Sequence, residues 1–143
     1  MKYYIAYGSN LNLEQMSYRC PTARIVGKGY IRNYELVFRG REYNAVATVI
    51  PKKASKVPVL VWAIGRYDER ALDRYEGYPT FYRKETIAVD LETHETILGM
   101  VYLLNKLERG IPSDRYIKII REGYRDMNMD ESYLDRAIEE AVG

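Results

Sequence analysis

Short apolar runs separated by turn residues dominate the first part of the chain, and this pattern predicts β-strands. The runs cover residues 3–7, 24–30, 34–39, 45–50 and 57–65. Each has the length of a strand and is rich in β-branched or aromatic residues. We expect Pro51 to end the fourth run, because proline cannot donate a hydrogen bond to a neighbouring strand.

Residues 82–91 and 96–104 are predicted to form a β-hairpin. The first of these segments alternates between two sets of side chains, which is the period of a strand. Residues 92–95 connect the two segments and contain His94, the only histidine of the chain. Because charged residues surround it, we interpret His94 as a solvated turn residue rather than a catalytic one.

Two short helices are predicted among the strands. Residues 13–19 form the first, and it ends before Pro21 because the residue preceding a proline avoids helical geometry. Residues 68–76 form the second. Asp68 is its predicted N-cap, and Gly77 is the glycine that ends it.

The C-terminal part of the chain is predicted to be helical. Ser113 caps a third helix, and a fourth begins near Asp130, both with apolar residues at helical spacing. Since long helices do not separate the strands regularly, the pattern excludes a doubly wound sheet. It predicts one α+β domain over residues 1–143, with a mixed, barrel-like sheet, short helices and a helical C-terminal part.

Composition narrows the functional class. The chain has a hydrophobic fraction of 47% and a net charge of +2, which is too mild to indicate a nucleic-acid partner. Lys52, Lys53 and Lys56 are the only local basic cluster, and we interpret them as a solvated loop. No apolar run approaches the ~18 residues that would span a membrane. We see no signal-peptide pattern, and therefore expect a cytoplasmic location.

The inventory of reactive side chains leaves few chemistries open. A single cysteine, Cys20, excludes an internal disulfide, and one cysteine with one histidine excludes a zinc site. Ser9 lacks the Gly-x-Ser-x-Gly frame of a nucleophilic serine. A carboxylate that acts as general acid and base remains, and we expect neither a metal nor a cofactor.

Glu76 is the candidate for that carboxylate. It lies at a helix end, directly after Tyr75, and an aromatic-rich segment follows at residues 78–82. Burial among such residues would raise the pKa of the carboxyl group and suit it to proton transfer near neutral pH. The alternative interpretation is an ordinary surface glutamate at the end of a helix.

A turn of small residues follows the first strand. Tyr7 ends an apolar run, and Gly8, Ser9 and Asn10 come next, before a predicted helix. A strand–turn–helix junction points several backbone N–H groups at one place, which can bind an anion or an oxyanion. We call Gly8, Ser9 and Asn10 the Gly8 turn.

Four segments together resemble the γ-glutamylcyclotransferase family. They are Tyr-Gly-Ser-Asn-Leu at residues 7–11, Leu-Asp-Arg-Tyr-Glu-Gly at 72–77, Val-Tyr-Leu at 101–103 and the Pro-Ser-x-x-Tyr helix start at 112–116. Glutathione-specific relatives typically carry Tyr-Gly-Ser-Leu at the first segment, and γ-glutamylamine cyclotransferases carry Tyr-Gly-Thr-Leu. Asn10 therefore favours the plain γ-glutamylcyclotransferase branch.

The resemblance implies a γ-glutamylcyclotransferase-like fold and an enzyme that converts a γ-glutamyl amide, such as a γ-glutamyl amino acid, to 5-oxoproline. Glu76 would be the catalytic acid and base. The implied substrate-binding residues are Tyr7, Gly8, Ser9, Asn10, Tyr102 and Tyr116. The expected partner is the small γ-glutamyl substrate, with no nucleic acid, no membrane and no metal.

Other interpretations fit the same residues. The leaving group could be a polyamine, a peptide or a biosynthetic intermediate instead of an amino acid. A non-catalytic domain of the same fold could bind a small acidic metabolite. Fifteen tyrosines, far more than the two Phe and one Trp, are also compatible with a homodimer that uses exposed tyrosines.

Overall fold

Five β-strands close into a barrel in the computed structural model, which describes residues 1–143. They are β1 (Lys2–Ala6), β2 (Arg24–Arg39), β3 (Val46–Ile64), β4 (Tyr82–Leu91) and β5 (Thr96–Leu104). Their order around the barrel is β1, β3, β2, β4, β5. β1 pairs antiparallel with β3 and parallel with β5, so the sheet is mixed. The predicted α+β class with a mixed, barrel-like sheet is confirmed.

β2 and β3 form one long hairpin, and the prediction that Pro51 ends a strand was wrong. Tyr34 pairs with Pro51 and Arg32 with Lys56, so four residues of β3 lie opposite Asn33 in a bulge. The ladder is interrupted at a bulge, which is where a strand tolerates a proline. The side chain of Asn33 accepts a hydrogen bond from the backbone of Ala54 at 3.1 Å. The predicted lysine-rich loop is therefore part of β3.

The four α-helices are α1 (Leu13–Arg19), α2 (Arg66–Glu76), α3 (Asp114–Asp126) and α4 (Ser132–Val142). A 3-10 turn, Ser9–Leu11, precedes α1. The bounds predicted for α1, β4 and β5 are confirmed, and Ser113 caps α3 as predicted. None of these helices combines the length and apolar character that crossing a bilayer requires.

α2 begins earlier than predicted, and Asp68 is not its N-cap. Gly65 holds that position, and Asp68 lies three residues inside the helix. The Asp68 carboxylate accepts a hydrogen bond from the Gly65 backbone N–H at 3.0 Å. An acid at this position satisfies a free N–H at the helix start as an N-cap side chain would, which is why the sequence pattern misplaced it. Gly77 ends the helix in the left-handed conformation, as predicted.

α3 packs directly against the 3-10 turn that follows β1. Asn12 joins the two, because its side-chain amide donates to the Ile119 carbonyl at 2.9 Å while its oxygen caps α1. Gly123 of α3 lies so close that a Cβ there would be 2.7 Å from Asn12 N and 2.7 Å from Leu11 Cβ. The absence of a side chain at Gly123 thus sets how closely α3 approaches the turn.

We predict that Gly123→Ala destabilises the protein by about 1–3 kcal/mol, although alanine is normally the better helix former. The added methyl group meets backbone atoms of the turn, which cannot rotate away as a side chain can. Denaturant unfolding measures the change. Gly27→Ala is the control, because a Cβ at Gly27 would meet only Leu91 Cδ2 at 3.9 Å. Equal stability of the two variants would contradict the close contact.

Candidate functional site

One cavity of about 380 Å³ lies where the end of β1, the β2–β3 turn, the end of α2 and the start of α3 meet. All seven residues predicted for the site line it: Tyr7, Gly8, Ser9, Asn10, Glu76, Tyr102 and Tyr116. Residues that the sequence analysis did not assign to the site also line it, and those with aromatic or charged side chains are Tyr4, Arg41, Arg74, Tyr75, Phe81 and Tyr82.

His94 and Cys20 do not line this cavity. His94 is exposed in the turn between β4 and β5, as predicted. Cys20 is buried at the end of α1, and burial raises the pKa of its thiol to about 11. A thiol with such a pKa stays protonated near neutral pH and is a poor nucleophile.

The Gly8 turn presents backbone to the cavity. Its own hydrogen bonds run from Leu11 N to Gly8 O at 3.0 Å and from Asn12 N to Ser9 O at 3.1 Å. The N–H groups of Ser9 and Asn10 come before these donors and are not used by the turn, as is general for the first residues of a helix. A Cβ at Gly8 would lie 3.2 Å from Ala47 Cβ. Glycine therefore keeps the space beside the turn open.

The side chain of Asn10 is committed to the protein. Its amide nitrogen donates to Tyr4 Oη at 2.9 Å, and its oxygen accepts from Arg19 Nη1 at 2.7 Å. Its backbone carbonyl accepts from Trp62 Nε1 at 3.1 Å. Asn10 is buried, and these three bonds fix the turn in position. Its backbone N–H is not used by any of these three bonds.

Three of the six cavity tyrosines donate their hydroxyl protons to protein oxygens. Tyr7 Oη donates to the Tyr102 carbonyl at 2.7 Å, and Tyr82 Oη donates to the Ala47 carbonyl at 2.7 Å. Tyr116 and Tyr4 differ, because their hydroxyl oxygens accept, from Ala47 N at 3.0 Å and from Asn10 Nδ2 at 2.9 Å. The Tyr116 proton is therefore free to be donated into the cavity. Burial raises the pKa of Tyr116, so that proton is retained.

Asp73 connects the cavity wall to a charged network. Its Oδ1 accepts a hydrogen bond from Tyr102 Oη at 2.6 Å and lies 2.8 Å from Lys84 Nζ. Lys84 also contacts Glu69 Oε2 at 2.7 Å. Both acids belong to α2, while Lys84 and Tyr102 belong to β4 and β5. The network thus holds α2 against the barrel just before Glu76.

Glu76 is the last residue of α2, and its carboxylate is half-buried in the cavity. Removal from water raises its pKa to about 7, and the positive charge of Arg19 partly opposes this shift. No hydrogen bond holds the carboxylate, which distinguishes it from Asp73 on the same helix. An unpartnered acid with a pKa near neutrality can both accept and donate a proton at pH 7.

Arg19 contacts two residues that line this end of the cavity, Tyr75 and Asn10. Its guanidinium carbon lies 3.6 Å from the centroid of the Tyr75 ring, and Tyr75 Oη lies 3.0 Å from Ser9 Oγ. The same guanidinium donates to Asn10. One arginine therefore connects the Gly8 turn with the end of α2. No local sequence pattern connects Arg19 with Tyr75.

Comparison with known proteins gives one matching family and several named relatives. The model of a family described as "Gamma-glutamyl cyclotransferase, AIG2-like" matches residues 4–123. Proteins named γ-glutamylcyclotransferase from Mus musculus and Homo sapiens are each 26% identical to this chain over 141 residues, which cover 93% of this chain and 75% of each relative.

Solved structures share the fold. One named γ-glutamyl cyclotransferase has a TM-score of 0.86 and 25% sequence identity, and the match covers 95% of this chain and 85% of that one. YkqA from Bacillus subtilis has a TM-score of 0.82 at 19% identity, with 98% of this chain and 55% of that chain covered. At that identity the second similarity concerns the fold alone.

We predict that Glu76→Gln stabilises the protein above about pH 7, by on the order of 1–3 kcal/mol. Between its ordinary pKa of 4.5 and its raised pKa of about 7, Glu76 is protonated in the folded state and ionised in the unfolded state. Stability of the wild type therefore falls as pH rises through this window, and the variant escapes that loss. Denaturant unfolding at about pH 4 and about pH 8 measures the difference.

Glu139→Gln is the matched control for this measurement, because Glu139 is exposed on α4. It should leave the pH dependence of stability unchanged. If the stability of Glu76→Gln changed with pH in the same way as that of the wild type, the result would contradict the raised pKa of Glu76.

Proposed function

This chain belongs to the γ-glutamyl cyclotransferase, AIG2-like family, and from that premise we propose that it converts a γ-glutamyl amino acid to 5-oxoproline and the free amino acid. Membership makes it an enzyme of the cyclotransferase type. One observation carries the finer proposal: the unpartnered Glu76 carboxylate lines the same cavity as the Gly8 turn.

The proposed reaction needs no nucleophile from the protein. The α-amino nitrogen of the substrate forms a bond to its own γ-carbonyl carbon, and the bond from that carbon to the leaving nitrogen breaks. The attacking nitrogen, an ammonium group in the free substrate, loses two protons, and the leaving nitrogen gains two and departs as an ammonium group, so no co-reactant is consumed. Folding the glutamyl chain to bring amine and carbonyl together is a proximity effect, and such effects can contribute ~7–11 kcal/mol.

Glu76 is proposed to carry these protons one at a time. As a carboxylate it accepts a proton from the α-ammonium, and as a carboxylic acid it returns a proton to the leaving nitrogen. A pKa of about 7 makes both states accessible near neutral pH. The absence of an ion-pair or hydrogen-bond partner leaves its oxygens available to the two nitrogens in turn.

Donors for the substrate oxygens lie on the other cavity walls. We assign the backbone N–H groups of Ser9 and Asn10 and the hydroxyl of Tyr116, because the turn does not use the former and the latter keeps a free proton. Donors directed at a developing oxyanion strengthen as charge builds, and removal of one typically costs about 10²–10³ in kcat. Tyr7 and Tyr102 are assigned to the cavity wall, since their hydroxyls already donate to protein atoms.

We predict that Glu76→Gln abolishes 5-oxoproline formation from γ-glutamyl-alanine, with a loss of at least about 10²–10⁴ in kcat. Glutamine keeps the shape of the side chain but cannot transfer a proton. The assay follows product on wild type, Glu76→Gln and the exposed control Glu139→Gln side by side. Undiminished product from Glu76→Gln would remove Glu76 from its role. Absence of product from the wild type would indicate another leaving group or a binding domain without catalysis.

We also predict that kcat/KM rises with pH through a midpoint near 7, because the free enzyme must hold Glu76 as a carboxylate. Arg19→Gln should move that midpoint upward, since the Arg19 charge lowers the pKa of Glu76. Arg19→Lys is the control, because it retains the charge while losing the planar stack on Tyr75. Equal midpoints for all three proteins would assign the titration to a different group.

A further inference from the structure

The cavity carries a positive charge that the reaction above does not use. Among its lining residues only Glu76, Arg41 and Arg74 are charged. Arg41 belongs to the turn between β2 and β3, and Arg74 to the last turn of α2. Neither arginine forms an ion pair with any carboxylate of the chain. Both guanidinium groups are therefore without a carboxylate partner in the chain.

The two arginines reach the cavity from different elements. The guanidinium carbon of Arg41 lies 5.3 Å from the centroid of the Phe81 ring, which also lines the cavity. Arg74 precedes Glu76 by two residues on the same helix. No ion pair joins either arginine to Glu76. Their charge is left for what the cavity binds.

We propose that Arg41 and Arg74 bind the α-carboxylate of an amino-acid leaving group and thereby select γ-glutamyl amino acids over γ-glutamyl amines. This rests on the proposed cyclisation. Glu76 must reach the leaving nitrogen, and in an amino acid the carboxylate is two covalent bonds from that nitrogen. Guanidinium groups match carboxylates in charge and in hydrogen-bonding geometry.

The same charge disfavours the rival leaving group. A polyamine would bring an ammonium group into a cavity that is lined by two arginines without carboxylate partners. Repulsion between like charges lowers the affinity for such a leaving group. The glutamyl half of the substrate is the same in both classes. The arginines therefore discriminate only if they contact the leaving half, and this can be tested separately from catalysis.

The experiment compares γ-glutamyl-alanine with γ-glutamyl-alaninamide, which has the same size but lacks the leaving-group carboxylate. For the wild type we expect kcat/KM to favour the carboxylate by about tenfold, mostly through KM. Arg41→Gln and Arg74→Gln should each reduce this ratio, and the double variant should bring it close to one. Added salt should reduce the ratio for the wild type, because both arginines are exposed.

Arg70→Gln is the matched control, since it removes a positive charge from the same helix outside the cavity. It should keep the wild-type ratio. Turnover of both substrates at the wild-type rate by Arg70→Gln would show that losing a positive charge from α2 does not by itself change activity.

Two results would overturn the inference while the proposed reaction stands. One is equal use of both substrates by the wild type, or preference for a γ-glutamyl polyamine. The other is an equal loss on both substrates in the arginine variants, which would place the arginines at the glutamyl half or in a structural role. No product from either substrate with the wild type would instead count against the proposed reaction itself.

Discussion

The removal of the Glu76 carboxylate from water is the constraint on which the rest of the site depends. α2 ends at this residue, and the left-handed Gly77 turns the chain away, so that the carboxylate remains at the cavity wall. Burial brings its pKa to about 7, which is useful for proton transfer and unfavourable for stability at neutral pH. The surrounding structure must therefore hold the end of α2 where an isolated helix would let the acid face water.

Two sets of contacts do this from opposite sides of the helix end. On one side Asp73 joins Lys84 and the hydroxyl of Tyr102, so α2 is attached to both strands of the β4–β5 hairpin. On the other side Arg19 stacks on Tyr75 and hydrogen-bonds to the Gly8 turn. Partly exposed ion pairs contribute little free energy singly. Their value here is geometric, because they fix the position of Glu76 relative to the turn.

The tyrosine excess of the chain is explained in part by the cavity. Six of the fifteen tyrosines line it. Tyrosine fills an apolar wall and still satisfies buried backbone groups, as the hydroxyls of Tyr7 and Tyr82 do for the Tyr102 and Ala47 carbonyls. Tyr116 and Tyr4 differ, because their hydroxyls accept hydrogen bonds from the protein instead of donating them. A wall of tyrosines can thus be largely structural and still offer hydroxyl donors to a substrate.

Local patterns in the sequence were sufficient for β4, β5, α1 and the α+β class, because periodicity and turn residues act over a few positions. They also indicated Glu76 and the Gly8 turn as candidates, since an acid beside aromatic residues and a strand–turn–helix junction are local features, but they left an ordinary surface glutamate as the alternative. Only the tertiary structure decided that β3 continues through Pro51, because that depends on a bulge formed with a strand distant in sequence. Likewise only the fold brings Arg41 to the cavity and stacks Arg19 on Tyr75. Both placements depend on contacts between residues distant in sequence, and such contacts produce no periodic pattern in the chain.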